Sequence, residues 1–207
     1  MEVLIVLISI FISSILQLLA FSFIPLIWWF ITARKQECFF SWVGLKKVDI
    51  KDKRAAYLAI MILSVLFVLS SLFILRYVKV EKTSLFKFQG LKFEGILPVF
   101  LYATIQTGLS EELFFRGFLF KRMQHAFGYL LGNGIQSILF GLLHGFMLIG
   151  TIGLVKAVVI TILTGGIAFA MGYINEVKAN GSIIPSWMVH AITNFVTALL
   201  VLFQIIS

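Results

Sequence analysis

Charge is scarce in this chain. Of its 207 residues only 13% are charged and nine are acidic, whereas 60% are hydrophobic and the mean hydropathy is +1.05. An ordinary soluble domain carries about 25% charge, so the composition excludes one and identifies an integral membrane protein. Cysteine is scarcer still: Cys38 stands alone. That excludes an internal disulfide and a cysteine cluster for a metal, and leaves an incidental thiol at the interface. The longest polar breaks, 32–54 and 76–95, lack the Pro/Ser/Gly composition of a flexible linker. No repeat of about 20–50 residues and no low-complexity tract is evident, so one integral membrane domain over residues 1–207 is expected. The first apolar run lacks a basic lead-in and a small-residue cleavage site, and it exceeds the roughly 7–15 residues of a signal-peptide core. It is expected to stay in the mature protein.

Hydrocarbon about 30 Å thick takes roughly 20 apolar residues per helical span. Spans are therefore predicted near Val3–Ile31, Ala55–Leu75, Ile96–Phe120, Tyr129–Ile149, Ile152–Tyr173 and Ile183–Ile206. The expected fold is an all-α polytopic transmembrane bundle of about six spans, or seven to eight if the glycine-interrupted 129–173 stretch divides further. The glycines at 141, 145, 150 and 153 and the pair at 165–166 are read as close helix packing. The 17 Lys and Arg residues give a formal charge of +8, but they sit in short loops beside apolar spans. That is the pattern of membrane topology, so anionic lipid rather than nucleic acid is the expected partner. Seven of them fall between Arg34 and Arg54; with Lys121, Arg122 and Lys178 one side collects ten, against six on the other. The asymmetry puts the N-terminus outside. Residues 84–95 alternate apolar side chains with lysines and read as a segment lying on the membrane surface.

A charge at bilayer depth is costly unless paired or facing a wet cavity, and so marks a site. The third span carries three: Glu111, Glu112 and Arg116. Glu112 and Arg116 are one turn apart in the favourable order for an ion pair, and a structural pair is the reading they invite. Glu111 lies about 100° further round and is free to face something else. His144 sits in the fourth span one turn after Phe140, and His190 and Asn194 share a face of the last span. His125 reads as a solvated loop residue and Lys156 as a cation reaching for the interface. At about 1.5 Å per residue, Glu111 lies roughly 15 Å from the span end near Lys121, His190 and Asn194 roughly 10–17 Å from theirs, and His144 about 17–22 Å along its own. Those depths fit one shared cavity on the inner side of mid-membrane. Taken singly, His144 and Asn194 could equally be buried hydrogen-bonding residues between helices.

Together "EELFFR", "FGLLH" and "HAITN" form EExxxR, FxxxH and HxxxN patterns, in that order on successive membrane helices. The set resembles the CAAX protease and bacteriocin-processing (CPBP, or Abi) family of intramembrane glutamate proteases, which includes the type II CAAX prenyl endopeptidases. The resemblance covers a catalytic core at about residues 96–200. It implies an endopeptidase that cuts a membrane-associated protein or peptide, lipidated or not, without a cofactor. By motif position Glu111 would activate water, His144 would help orient it, His190 and Asn194 would stabilise the oxyanion, and Glu112 and Arg116 would support the site.

The chemistry of the residues agrees. No Ser-His-Asp or Cys-His arrangement and no HExxH is evident in the spans, which leaves water activated by a carboxylate. Three other readings are open. Glu111, His144 and His190 could bind zinc in a metallopeptidase; the chain could be a silent scaffold or chaperone; or Glu and His could relay protons in a small transporter, against which the lack of inverted repeats counts. The compact chain suggests a multi-pass protein of a bacterial plasma membrane.

Overall fold

The structure is a computed structural model that describes residues 2–50 and 53–206; Lys51, one of the cations counted in the 34–54 segment, lies outside the described residues. In hydrocarbon every backbone polar group must be satisfied within the chain, which leaves helices for apolar runs such as these. The described chain forms α1 (Glu2–Thr32), the short α2 (Phe39–Trp42), α3 (Lys53–Tyr77), α4 (residues 96–127), α5 (Tyr129–Ile152), α6 (Leu154–Tyr173) and α7 (Ile184–Leu202), with no strand among the described residues. The protein is an all-α membrane bundle. Five helices are long and apolar enough to cross a membrane: Val3–Thr32, Lys53–Tyr77, Tyr129–Ile152, Leu154–Lys178 and Ile184–Leu202. The expected third span, α4, is not among them. It is helical throughout, but it carries the site's charges and changes helix type along its length.

In α4, Tyr102–Leu109 and Leu113–Phe120 are π-helical, and the three residues Ser110–Glu112 between them are α-helical. A π turn closes on the fifth residue rather than the fourth. Side chains complete that pattern: the Thr107 hydroxyl donates to the Tyr102 carbonyl (3.0 Å) and the Ser110 hydroxyl to that of Ile105 (3.1 Å), each five residues back. Gly108 leaves room for α7 here, since a Cβ would stand 3.3 Å from the Trp187 ring and 2.6 Å from the Ala103 carbonyl. The Trp187 indole N–H then donates to the Thr104 carbonyl at 2.7 Å. α7 is thereby docked on α4 just before the two glutamates. α1 and α5 pack against other faces of α4, and α3 packs against α6 and α7.

Two glycines make the hairpins. Gly128 (φ +82°, ψ 170°) is the whole connection between α4 and α5, and Gly153 (φ +80°, ψ 165°) that between α5 and α6. This backbone region is essentially closed to residues with a Cβ. The glycines read together from sequence therefore divide. A Cβ at Gly141 or Gly145 would overlap Thr161 of α6, and one at Gly165 would stand 3.1 Å from the Ser137 carbonyl, so these serve close packing; Gly150 and Gly166 face open space.

The ends of the bundle differ. At one, residues 80–95 run through three short 3-10 turns. The segment is more than a surface strip: Val80, Leu85, Phe88 and Leu91 are buried against Val99, Tyr102, Ala198 and Leu202, while Phe86 and Phe93 face outward. At the other end, Lys121 pairs with Glu176 at 2.7 Å and donates to the Gly181 carbonyl at 2.8 Å, and the Ser182 hydroxyl donates to the Lys46 carbonyl at 2.9 Å. Back at the 80–95 end, Lys156 stacks on the Tyr77 ring at 4.3 Å.

Replacing Gly141 with Val should force α5 and α6 apart and lower stability by about 1–3 kcal/mol, the usual cost of overpacking. Gly150→Ala, facing open space in the same helix, should be neutral or stabilising by about 0.5–1 kcal/mol. Thermal melting in detergent separates the two; equal losses would contradict the assigned contact.

Candidate active site

The charges of α4 converge on the first turns of α7. Glu112 is fully buried, and its carboxylate meets three partners. Oε1 lies 2.9 Å from Arg116 Nη1 and 3.0 Å from His190 Nδ1, while Oε2 accepts a short hydrogen bond from the Ser186 hydroxyl. The structural pair expected from sequence is present, but it is not closed on itself. A carboxylate paired with arginine can only accept, so His190 carries its proton on Nδ1 and turns Nε2 the other way. Nε2 faces Glu111 Oε2 at 3.7 Å. His190 is thus held between the two glutamates, 3% exposed, beside the Phe67 ring at 5.6 Å.

Glu111 is the more open carboxylate, its side chain 18% exposed. Its Oε2 is shut from solvent and makes no hydrogen bond. Buried polar atoms are nearly always satisfied, and an unpaired carboxylate oxygen in a membrane protein is costlier still. The nearest polar group to Glu111 Oε2 that the structure records is His190 Nε2, at 3.7 Å.

Phe140 organises the remainder. Its ring lies 4.4 Å from the Arg116 guanidinium, 4.4 Å from the His144 ring and 6.3 Å from the His190 ring, centre to centre. The electron-rich face helps hold a buried cation away from water, and Arg116 also reaches the Met171 sulfur at 3.5 Å. His144 Nδ1 donates to the Phe140 carbonyl at 2.9 Å, because a carbonyl has no proton to give, and this leaves Nε2 free as an acceptor. Asn194 lies one turn beyond His190 but does not join it. Its amide donates to the Thr107 hydroxyl at 2.8 Å, back on the first π stretch of α4. Glu111, Glu112, Arg116 and His190 are thus in direct contact, whereas His144 is joined through Phe140 and Asn194 through Thr107.

A cavity of about 330 Å³ adjoins this cluster, and His144, Asn194, Thr197 and Tyr102 line it. Glu111 and His190 are not in its wall. Its other walls are the C-terminal half of α3 and residues 82–85, so it lies at the end of the bundle capped by the 80–95 segment. The charge count assigned that end to the outside. The depth argument expects one cavity shared by Glu111, His144 and His190 on the inner side of mid-membrane; of these three only His144 lines this one.

Sequence reasoning missed Ser186, Asn175 and Thr107. The Asn175 amide donates to the Ser186 hydroxyl (2.7 Å) and its oxygen accepts from the Ser186 backbone N–H (3.2 Å), which steers that hydroxyl onto Glu112. Ser186 precedes His190 by one turn and so shares its face, which was a readable signal; Asn175 and Thr107 had none. Among the described residues no group of three or more His, Cys, Asp or Glu side chains is arranged to hold a metal ion. Glu111, His144 and His190 do not meet as the zinc ligand set considered above.

Removing one partner from a buried pair strands the other charge at a cost of about 3–5 kcal/mol. Glu112→Ala and Arg116→Ala should each lose about that much, and the double exchange to apolar residues should lose less. Ser186→Ala, which removes one of three donors, should cost only about 1–2 kcal/mol. Wild-type melting temperatures in both charge variants would refute the structural role.

Residues 93–196 match the family described as Type II CAAX prenyl endopeptidase Rce1-like. No curated protein and no solved structure matches the chain.

Proposed function

The chain belongs to the Type II CAAX prenyl endopeptidase Rce1-like family, and we propose that it hydrolyses a peptide bond of a membrane-associated protein or peptide with water activated by Glu111. The observation that carries the proposal is the buried, unpartnered Glu111 oxygen facing an imidazole that Glu112 holds by its other nitrogen. A structural charge would be closed off by hydrogen bonds; Glu111 Oε2 makes none, and its side chain is 18% exposed.

The steps follow from the groups present. In the proposed reaction Glu111 takes a proton from a water, which the free Nε2 of His144 would help orient, as the oxygen attacks the scissile carbonyl. The carbonyl oxygen becomes an oxyanion, which needs donors fixed in advance. His190 provides one: with Nδ1 tied to the Glu112 carboxylate, its Nε2 is the nitrogen turned into the site. Asn194 provides another, since one amide N–H is spent on Thr107 and the second remains. As the intermediate collapses the C–N bond breaks, and the proton held by Glu111 passes to the leaving amine. Water has then supplied the oxygen of the new carboxylate. Arg116 and Glu112 act through His190 and do not touch the substrate.

Glu111→Gln keeps size and hydrogen bonding but cannot take a proton, so turnover should fall about 10²–10⁴-fold with the fold intact. His190→Ala and Asn194→Ala should each lower kcat about 10²–10³-fold with little change in KM, because their bonds form with the transition state. The readout is cleavage of membrane proteins in cells carrying each variant, followed by kinetics on the substrate so found. A Glu111→Gln protein that cleaves at the wild-type rate removes the base assignment. Activity should also persist in strong chelator; loss that zinc restores would overturn the reading of water activated by Glu111 alone.

A further inference from the structure

The basic end of the bundle holds a second cavity, larger than the first at about 850 Å³. It lies between the last two turns of α1, the α2 region and the end of α4, away from every group used above. Ile24 and Trp28 form one wall, 53% and 49% exposed on the lipid-facing side of α1, and Gln36, Arg122 and His125 gather at the polar end. Arg122 is fixed there, its guanidinium stacked 4.0 Å over the buried Trp42 ring. Its Nε is shut from solvent and has no hydrogen-bond partner. A planar cation held by its face, with donors unspent along its edge, suits the oxygens of a phosphate. The carboxylate in the lining, Glu37, accepts from the Ser41 hydroxyl at 2.6 Å, and its charge also acts on Arg122, so a phosphate there must outcompete it.

The shape of the site selects its occupant. From Ile24 to Thr32 the α1 wall runs about 12 Å at 1.5 Å per residue, from hydrocarbon depth to the polar end. A free phosphate would leave that apolar track empty, and a soluble peptide would have no access to its lipid-facing side. We propose that the cavity binds one anionic phospholipid, with its phosphate on Arg122 and an acyl chain along Ile24 and Trp28. The lipid would join the end of α1 to the end of α4, the helix that carries Glu111 and Glu112.

The test uses the full chain, purified in neutral detergent, stripped of lipid and titrated with phosphatidylglycerol or phosphatidylcholine in mixed micelles, with retained lipid counted by native mass spectrometry. One phosphatidylglycerol should be held per chain, and phosphatidylcholine at least about tenfold more weakly. Arg122→Gln should weaken retention about tenfold or more, as loss of charge-assisted bonds does. Lys79→Gln, which removes a charge at the opposite end, should leave retention unchanged. Ile24→Trp, at a lipid-facing position that does not threaten folding, should fill the acyl track and weaken retention as well. Equal retention of the two lipids, full displacement by inorganic phosphate, or wild-type retention in Ile24→Trp overturns the proposal, as does wild-type retention in a folded Arg122→Gln.

Discussion

The candidate site depends on one buried carboxylate. Glu112 is enclosed by protein, and a lone carboxylate in such surroundings would be untenable. Arg116 makes it tolerable from the same helix; His190 and Ser186 do so from α7. The arrangement costs desolvation of two ions and is repaid only because nearly every lone pair of Glu112 has a donor. Its effect on chemistry is indirect but decisive. With Nδ1 of His190 bound to Glu112, Nε2 has a single direction left, and that direction is Glu111. The two adjacent glutamates thus differ in kind: one is saturated and orients, the other is unsaturated and open.

This asymmetry needs α4 to be irregular. A uniform helix would bond each backbone carbonyl to the N–H four residues on and leave little for neighbours. The π stretches on either side of Ser110–Glu112 widen the turns and admit hydroxyls to backbone carbonyls. They also let the Trp187 indole reach the Thr104 carbonyl and the Asn194 amide reach Thr107. Helix α7 is therefore fastened to α4 on the turns before the glutamates and again at Glu112. The residues proposed for catalysis sit on two helices locked together, and α5 adds His144 through the Phe140 ring. Local irregularity in a helix thus becomes precision in a site.

The two cavities answer to different solvents. The smaller one brings His144 and Asn194 to a space of mixed polarity under the 80–95 cap, suited to a peptide segment. The larger one joins the lipid-facing side of α1 to a fixed guanidinium at the basic end. Both exist because helices that need little polar surface toward lipid can reserve their few charged side chains for places where the bundle is not closed.

The sequence by itself determined the fold class and named the candidate residues of the site. Hydropathy alone marked the helices, since the bilayer admits little else; the predicted α5 and α7 start at or within one residue of the observed ones. Three ordered motifs pointed to Glu111, Glu112, Arg116, His144, His190 and Asn194, because each is costly in lipid and none would be there without a partner. Tertiary structure alone decided who partners whom. A motif shows that Glu112 and Arg116 share a face, but not that His190 and Ser186 complete the carboxylate from a helix about 75 residues away. Nor does hydropathy report that α4 changes helix type along its length, or that Gly108 meets Trp187 across the interface. Spacing fixes what one helix offers, and only packing fixes what it meets.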